Sequence, residues 1–236
     1  FLKDPVKIEV APPSTTVEKI DQRVLFVDRE NKNALLKSML EDATIERALI
    51  FARTKHGANK IVKNLSKSKI KADAIHGNKS QSARIDALNK FKTGKVRVLV
   101  ATDIASRGID VDGITHVINY ELPNEPESYV HRIGRTARAG ATGMALSLCD
   151  LGELGYLKRI EQATNKTVAV EADHIYHSES IASKRGRSFG SKPKSPQRKR
   201  NFGYRPASGK NSRPAARNGR PQRGNAQRSR RTAGNS

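Results

Sequence analysis

The chain has a single cysteine, Cys149, so neither an intramolecular disulfide nor a cysteine metal cage can form. Its setting, MALSLC, is that of a buried, reduced thiol. No apolar run approaches membrane-spanning length and no lipidation motif is visible. Acidic residues are missing altogether from 181 to 236, where 17 Lys and Arg stand unopposed, while residues 1–180 hold 28 basic against 23 acidic side chains. The net charge of +22 therefore sits mostly in the final segment. Such a segment attracts phosphate polymers by releasing their counterions, and nucleic acid is the expected partner rather than an anionic lipid surface.

Between Val24 and Cys149 the pattern is that of alternating strands and helices. VLFV (24–27), ALIF (48–51), ADAI (72–75), VRVLVAT (96–102), HVINY (116–120) and MALSLC (144–149) read as strands bounded by polar or glycine-bearing segments. Between them, Ala58, Ile61, Val62 and Leu65 share one helix face, as do Ala34, Leu35, Met39 and Leu40, and nearly so Ile85, Leu88 and Phe91. Strand–helix succession predicts an α/β fold with a mostly parallel sheet covered on both faces, its working residues on loops leaving the carboxyl ends of the strands.

The flanks are different. The paired prolines of PVKIEVAPPSTT suit an extended connector over residues 1–21, and the start at Phe1 reads as mid-protein sequence. Three segments are expected: 1–21 a connector, 22–175 the domain, and 176–236 a disordered Lys/Arg-rich tail. Only Phe189, Phe202 and Tyr204 are large apolar groups after Ser183, too few to offset ordering entropy.

Four polar clusters fall at the expected loops: ARTKHGA after ALIF, HGNKSQSAR after ADAI, DIASRGID after VRVLVAT, and HRIGRTARAG in the helix placed before the last strand. Thr54 reads as a helix cap beside Lys55 and Gly57, a group that can also bind phosphate. Gln81 and Arg84 share a helix face. Asp103 and Asp110 are candidate caps or turn formers. His76 and His131 have no ligand spacing around them, and no metal site is expected.

In this order the clusters closely resemble the second RecA-like domain of DEAD-box RNA helicases: IFARTK (50–55) motif IV, HGNKSQSAR (76–84) the Gln-x-x-Arg element, ATDIASRGID (101–110) motif V, HRIGRTARAG (131–140) motif VI. The likeness covers roughly residues 1–175, and the tail resembles the basic extension of a bacterial RhlE-like subgroup. The resemblance implies a RecA-like domain preceded by the end of another such domain and a linker. It implies RNA contacts from Thr54, Lys55, Gly57, Gln81, Arg84, Thr102 and Gly108, and interdomain coupling through Asp103, Arg107 and His131. His76 stays structural. It implies an ATP site completed by the arginine fingers Arg135 and Arg138, less clearly Arg132, with Asp110 on the ribose. Ala137 stands where many relatives carry glycine, and little loss is expected from so small a side chain.

The phosphate-loop pattern G-x-x-x-x-G-K-[ST] does not occur: Gly94-Lys95 is followed by Val96 and Gly209-Lys210 by Asn211. Nor does an Asp-Glu-Ala-Asp run. The expectation is the carboxyl-terminal half of a cytoplasmic RNA-dependent ATPase, inactive by itself, whose ATP and Mg²⁺ are held by a preceding domain. Expected partners are RNA, that domain, and ribosomal or RNA-decay complexes, with no membrane. The alternative is a non-enzymatic RNA-binding or annealing protein; retention of Arg135, Arg138 and Asp110 favours the enzyme.

Overall fold

Short runs in which every side chain is apolar are satisfied only where both faces are covered. In a computed structural model of the chain, which describes residues 20–106, 109–138 and 142–185, those runs form the centre of a sheet. The strands are β1 (Ile20–Phe26), β2 (Ala48–Phe51), β3 (Ala72–Ile75), β4 (Val98–Ala101), β5 (His116–Asn119), β6 (Gly143–Cys149) and β7 (Ala169–Val170). Their order is β3-β4-β2-β5-β6-β1-β7, and all pairings are parallel. β2, β4 and β5 are buried at every position.

The helices are α1 (Lys32–Glu41), α2 (Lys55–Lys67), α3 (Gln81–Lys92), α4 (Asp103–Ser106), α5 (Pro126–Ile133), α6 (Leu154–Thr164) and α7 (Glu179–Arg185). α1 and α2 cover one face of the sheet through Leu35, Leu36, Leu40, Ala58, Ile61 and Leu65. The other face is covered in two patches, one by α3 and the turn of α4, the other by α5, α6 and α7. Because the strands are parallel, the loops after β2, β3, β4, β5 and β6 all emerge at one edge, where ligands of open α/β sheets are met.

Several expectations change. Ile85 is half exposed, because Ala87 and Phe91, one turn apart, aim α3 at the sheet, and Ile85 lies about 200° around the helix from Ala87. α5 ends at Ile133, so only the first three residues of HRIGRTARAG are helical. The fold runs on past 175, and α7 reaches Arg185. Val27 bridges His177, Ser178 N–H donates to the Phe26 carbonyl at 3.0 Å, and Ile181 is buried beside Phe26 and Leu157. Arg185 fastens the end, donating to Glu161 and to the Val168 carbonyl at 2.7 Å. A two-residue strand and a seven-residue helix carry too short a period to be read from sequence. The expectations for residues 1–19, Arg107, Gly108 and the tail from 186 onward lie outside the described residues.

Cys149 is fully buried, and burial pushes its thiol up, as its apolar neighbours in MALSLC suggest.

Candidate functional site

Three arginines spaced i, i+3, i+6 in HRIGRTARAG meet three different environments. Arg132 is on α5, 1% exposed, and its guanidinium is 5.0 Å from the centroid of the Phe51 ring. Its Nε and Nη2 donate to Asp103 Oδ1 and Oδ2 at 2.6 and 2.8 Å. Its Nη1 donates to Asn119 Oδ1 at 3.1 Å and to the Glu121 carbonyl at 2.7 Å. Four of five N–H donors are thereby engaged inside the domain. Arg132 fastens α5 to the loops after β4 and β5 and has little left to lend a ligand. The carboxylate of Asp103, expected to couple outward, is gripped at both oxygens by this inward partner.

Past Ile133 the chain turns, and the next two arginines are half-buried. Arg135 Nη1 donates to the Ile109 carbonyl at 3.1 Å. Burial lowers its pKa, as does Arg138 nearby, against the pull of Asp110, but a guanidinium stays charged. Arg138 Nη1 meets Asp110 Oδ1 at 2.6 Å, on a carboxylate side chain 87% exposed. The half-buried Arg135 and Arg138 and the exposed Asp110, distant in sequence, thus form one cluster. An exposed pair of this kind is worth about 0–1 kcal/mol, so an incoming anion or hydroxyl displaces it at small cost. Next to it, Asp103, Ser106, Ser128, His131, Arg132 and Arg135 line a cavity of 240 Å³, with His131 exposed at its rim.

Two residues set the path of this turn. A Cβ on Gly143 would overlap the Thr136 side chain and stand 2.7 Å from the Ala137 nitrogen, so glycine is required by close approach. Ala137 has φ 56°, in the left-handed region. The expectation of little loss there is corrected: backbone conformation, and not side-chain size, is what disfavours alanine, by about 1 kcal/mol. Ala137→Gly is therefore expected to stabilise the domain by about that amount in urea denaturation; a lower midpoint would show that the turn is not held in this conformation.

The second group of candidates lies at the exits of β2, β3 and β4. Thr54 Oγ1 accepts from Gly57 N–H at 3.0 Å, capping α2, and Lys55 Nζ donates to Asn78 Oδ1 at 3.0 Å, tying the β2 loop to the β3 loop. Gln81 and Arg84 occupy one face of α3, Arg84 Nη1 donating to Gln81 Oε1 at 3.2 Å, while Arg84 Nε is buried without a partner among the described residues. Thr102 follows β4, its carbonyl accepting from Ala105 and Ser106 to start α4. His76 is buried, its Nε2 2.9 Å from Asn59 Oδ1, and burial together with Lys79, Lys55 and His56 lowers its pKa.

The sequence reading missed an ionic hub at the same edge. Lys32 and Glu153, each 2% exposed or less, form a salt bridge, and Lys32 Nζ also donates to the Tyr120 and Leu148 carbonyls at 3.2 Å and meets Asp150 at 3.2 Å. Glu153 accepts from Leu122 N–H at 3.1 Å and lies 3.6 Å from Arg53. Burial pushes its carboxyl up while Lys32 pulls it down. The available signal was the Asp150-x-x-Glu153 capping box. A 510 Å³ cavity lined by Arg29, Lys32, Thr54, Gly57, Lys60 and Tyr120, among others, opens beside the hub. Among the described residues no group of three or more His, Cys, Asp or Glu is placed to hold a metal, and no helix is long and apolar enough to cross a membrane.

Comparison with known proteins matches residues 31–140 to the family described as the helicase conserved C-terminal domain. The DEAD-box ATP-dependent RNA helicase CshA of Geobacillus kaustophilus (strain HTA426) is 42% identical over 166 residues, which are 70% of this chain and 36% of that protein. CshA of Bacillus subtilis (strain 168) is 43% identical over the same length, covering 34% of that protein. The chain thus spans about a third of the length of these relatives. Among solved structures, the E. coli DEAD-box protein SrmB, crystallised bound to regulator of ribonuclease activity A, is 32% identical with a TM-score of 0.65 over 68% of this chain and 95% of that one. A DEAD-box protein from Methanococcus jannaschii is 40% identical with a TM-score of 0.62, over 65% of this chain and 42% of that one. The chain belongs to the DEAD-box RNA helicase family and carries its RecA-like helicase C-terminal domain.

Proposed function

We propose that this domain works as one half of an RNA-dependent ATPase that locally separates RNA strands. Two parts of the domain do two tasks. The loops after β2, β3 and β4 hold an RNA backbone through Thr54, Lys55, Gly57, Gln81, Arg84 and Thr102. Arg135 and Arg138, with Asp110, face a nucleotide whose phosphates and Mg²⁺ are held by a second RecA-like domain.

The observation that carries this reading is the clustering of the half-buried Arg135 and Arg138 with the exposed Asp110, while the third arginine of the same segment is fully buried. Two guanidinium groups aimed across a cleft neutralise charge developing on a transferring phosphoryl group. The exposed carboxylate of Asp110 is chemically suited to accept from ribose hydroxyls once Arg138 turns to the phosphate. Asp103 and His131 border the neighbouring cavity, where a facing domain would register RNA and nucleotide together. With no phosphate loop in its sequence, the chain is proposed to need that facing domain for turnover.

Arg84→Ala tests the RNA half. In a protein completed with the nucleotide-holding domain, it is expected to reduce RNA stimulation of ATP turnover about tenfold or more, as loss of a charge-assisted phosphate contact does, with KM for ATP within twofold. The opposite order, a raised KM with stimulation intact, would move Arg84 to the nucleotide side.

A further inference from the structure

Charge is divided unevenly within the folded domain itself. Residues 55–97, which make α2, β3 and α3, hold twelve Lys and Arg against two Asp. The rest of residues 1–180 holds 16 basic and 21 acidic side chains, a small net negative charge. β3 is an edge strand with α2 and α3 packed on its two faces, so the excess is gathered at one end of the sheet. The two acidic residues there are already engaged: Asp73 lies 2.9 Å from Lys79, and Asp86 2.5 Å from Lys90.

On α2 the lysines form a line. Lys60, Lys63 and Lys67 are spaced i, i+3, i+7 along one exposed face, about 5 Å apart along the axis, and Lys69 and Lys71 continue past the helix end. Among the described residues none of these five has an ion pair or a side-chain hydrogen bond. A surface that serves only solubility mixes both signs, because like charges side by side repel. The line starts at the Thr54–Lys55 end of α2, the loop edge, and leads away from it down the flank.

We propose that this face of α2 is a second RNA-backbone contact, taking the duplex next to the strand held at the loops. It rests on the reading of Thr54, Lys55 and Arg84 as that strand's path. A single strand gripped through its bases needs aromatic side chains to stack on, and residues 55–71, which carry the line of lysines, include no Phe, Tyr or Trp. A straight row of ammonium groups, with nothing to stack on, suits a duplex that presents only phosphates and sugar hydroxyls. A lipid surface is disfavoured because no large apolar side chain is exposed on α2 to enter it.

The test uses the full chain and the triple variant Lys60→Gln/Lys63→Gln/Lys67→Gln. The probes are an RNA duplex with a single-stranded extension and the extension alone, followed by fluorescence anisotropy over a range of KCl. Expected is about a tenfold or greater loss of affinity for the duplex probe at low salt, a log–log salt slope smaller by about 2–3, and affinity for the extension within twofold. An unchanged thermal midpoint shows that the variant is folded. Equal affinity for the duplex probe, or an equal loss on both probes, overturns the proposal. So does loss of binding to phosphatidylserine vesicles with RNA binding unchanged, which reassigns the face to lipid. Arg84→Ala, run in parallel, separates the two readings: if it leaves the extension bound as before while the triple variant loses the duplex, the loop path fails and the α2 surface stands.

Discussion

Arg138→Ala, in an enzyme completed with a nucleotide-holding domain, is expected to lower RNA-stimulated ATP turnover about 10³-fold or more, with the fold intact. The size follows from where the charge is delivered. A guanidinium that meets a phosphoryl group in a water-excluded cleft stabilises the transition state far more than the ground state, so kcat falls and KM for ATP moves little. The intact fold follows from the geometry, because Arg138 has one ion pair, to an exposed Asp110, and a 3.4 Å contact to the Gly134 carbonyl. Arg132→Ala is the control from the same segment: it strips Asp103, Asn119 and the Glu121 carbonyl of their partner and is expected to unfold the domain. Turnover unchanged in folded Arg138→Ala would remove the finger role.

Lys32→Met is expected to destabilise the domain by about 3–5 kcal/mol, the cost of leaving Glu153 buried without its principal counter-charge. Adding Glu153→Gln should restore most of that loss, because the amide oxygen still accepts from Leu122 N–H while the uncompensated charge is gone. Urea denaturation of the two single variants and the double variant measures the coupling. Strict additivity would mean that the two side chains do not act as a pair. The hub joins the start of α1 to the exits of β5 and β6, so its loss is felt at the edge that carries the candidate site.

Much of this was legible beforehand because burial has a local signature. ALIF and ADAI are strands at the residues expected, since four consecutive positions suited to a covered sheet are enough to define one. Thr54 caps α2 because its hydroxyl accepts from the N–H three residues further on, a spacing visible in the sequence. The position of the three clusters after β2, β3 and β4 at one edge followed from parallel connection alone, whereas the end of HRIGRTARAG packs by the start of β5, where Thr136 donates to the Ile114 and Thr115 carbonyls.

Other features could not be seen in the sequence. Ala137 looked harmless by size, and its cost lies in a φ that close approach to Gly143 accompanies. α7 was given to the tail because its one fully buried residue, Ile181, is recognisable only beside Phe26 and Leu157.

By itself, then, the sequence determined the alternation of strands and helices, the edge where the polar loops gather, the family those loops resemble, and the one-signed charge of residues 55–97. These depend on spacings of two to four residues or on counting. Only the tertiary structure decided which arginine of HRIGRTARAG is a buried brace and which two lie half-buried near Asp110, that Lys32 belongs to Glu153, and that Lys60, Lys63, Lys67, Lys69 and Lys71 have no ion pair among the described residues. Each of those depends on which groups meet across tens of residues, and a charge has no fixed role until the protein either buries it against an opposite charge or leaves it in water.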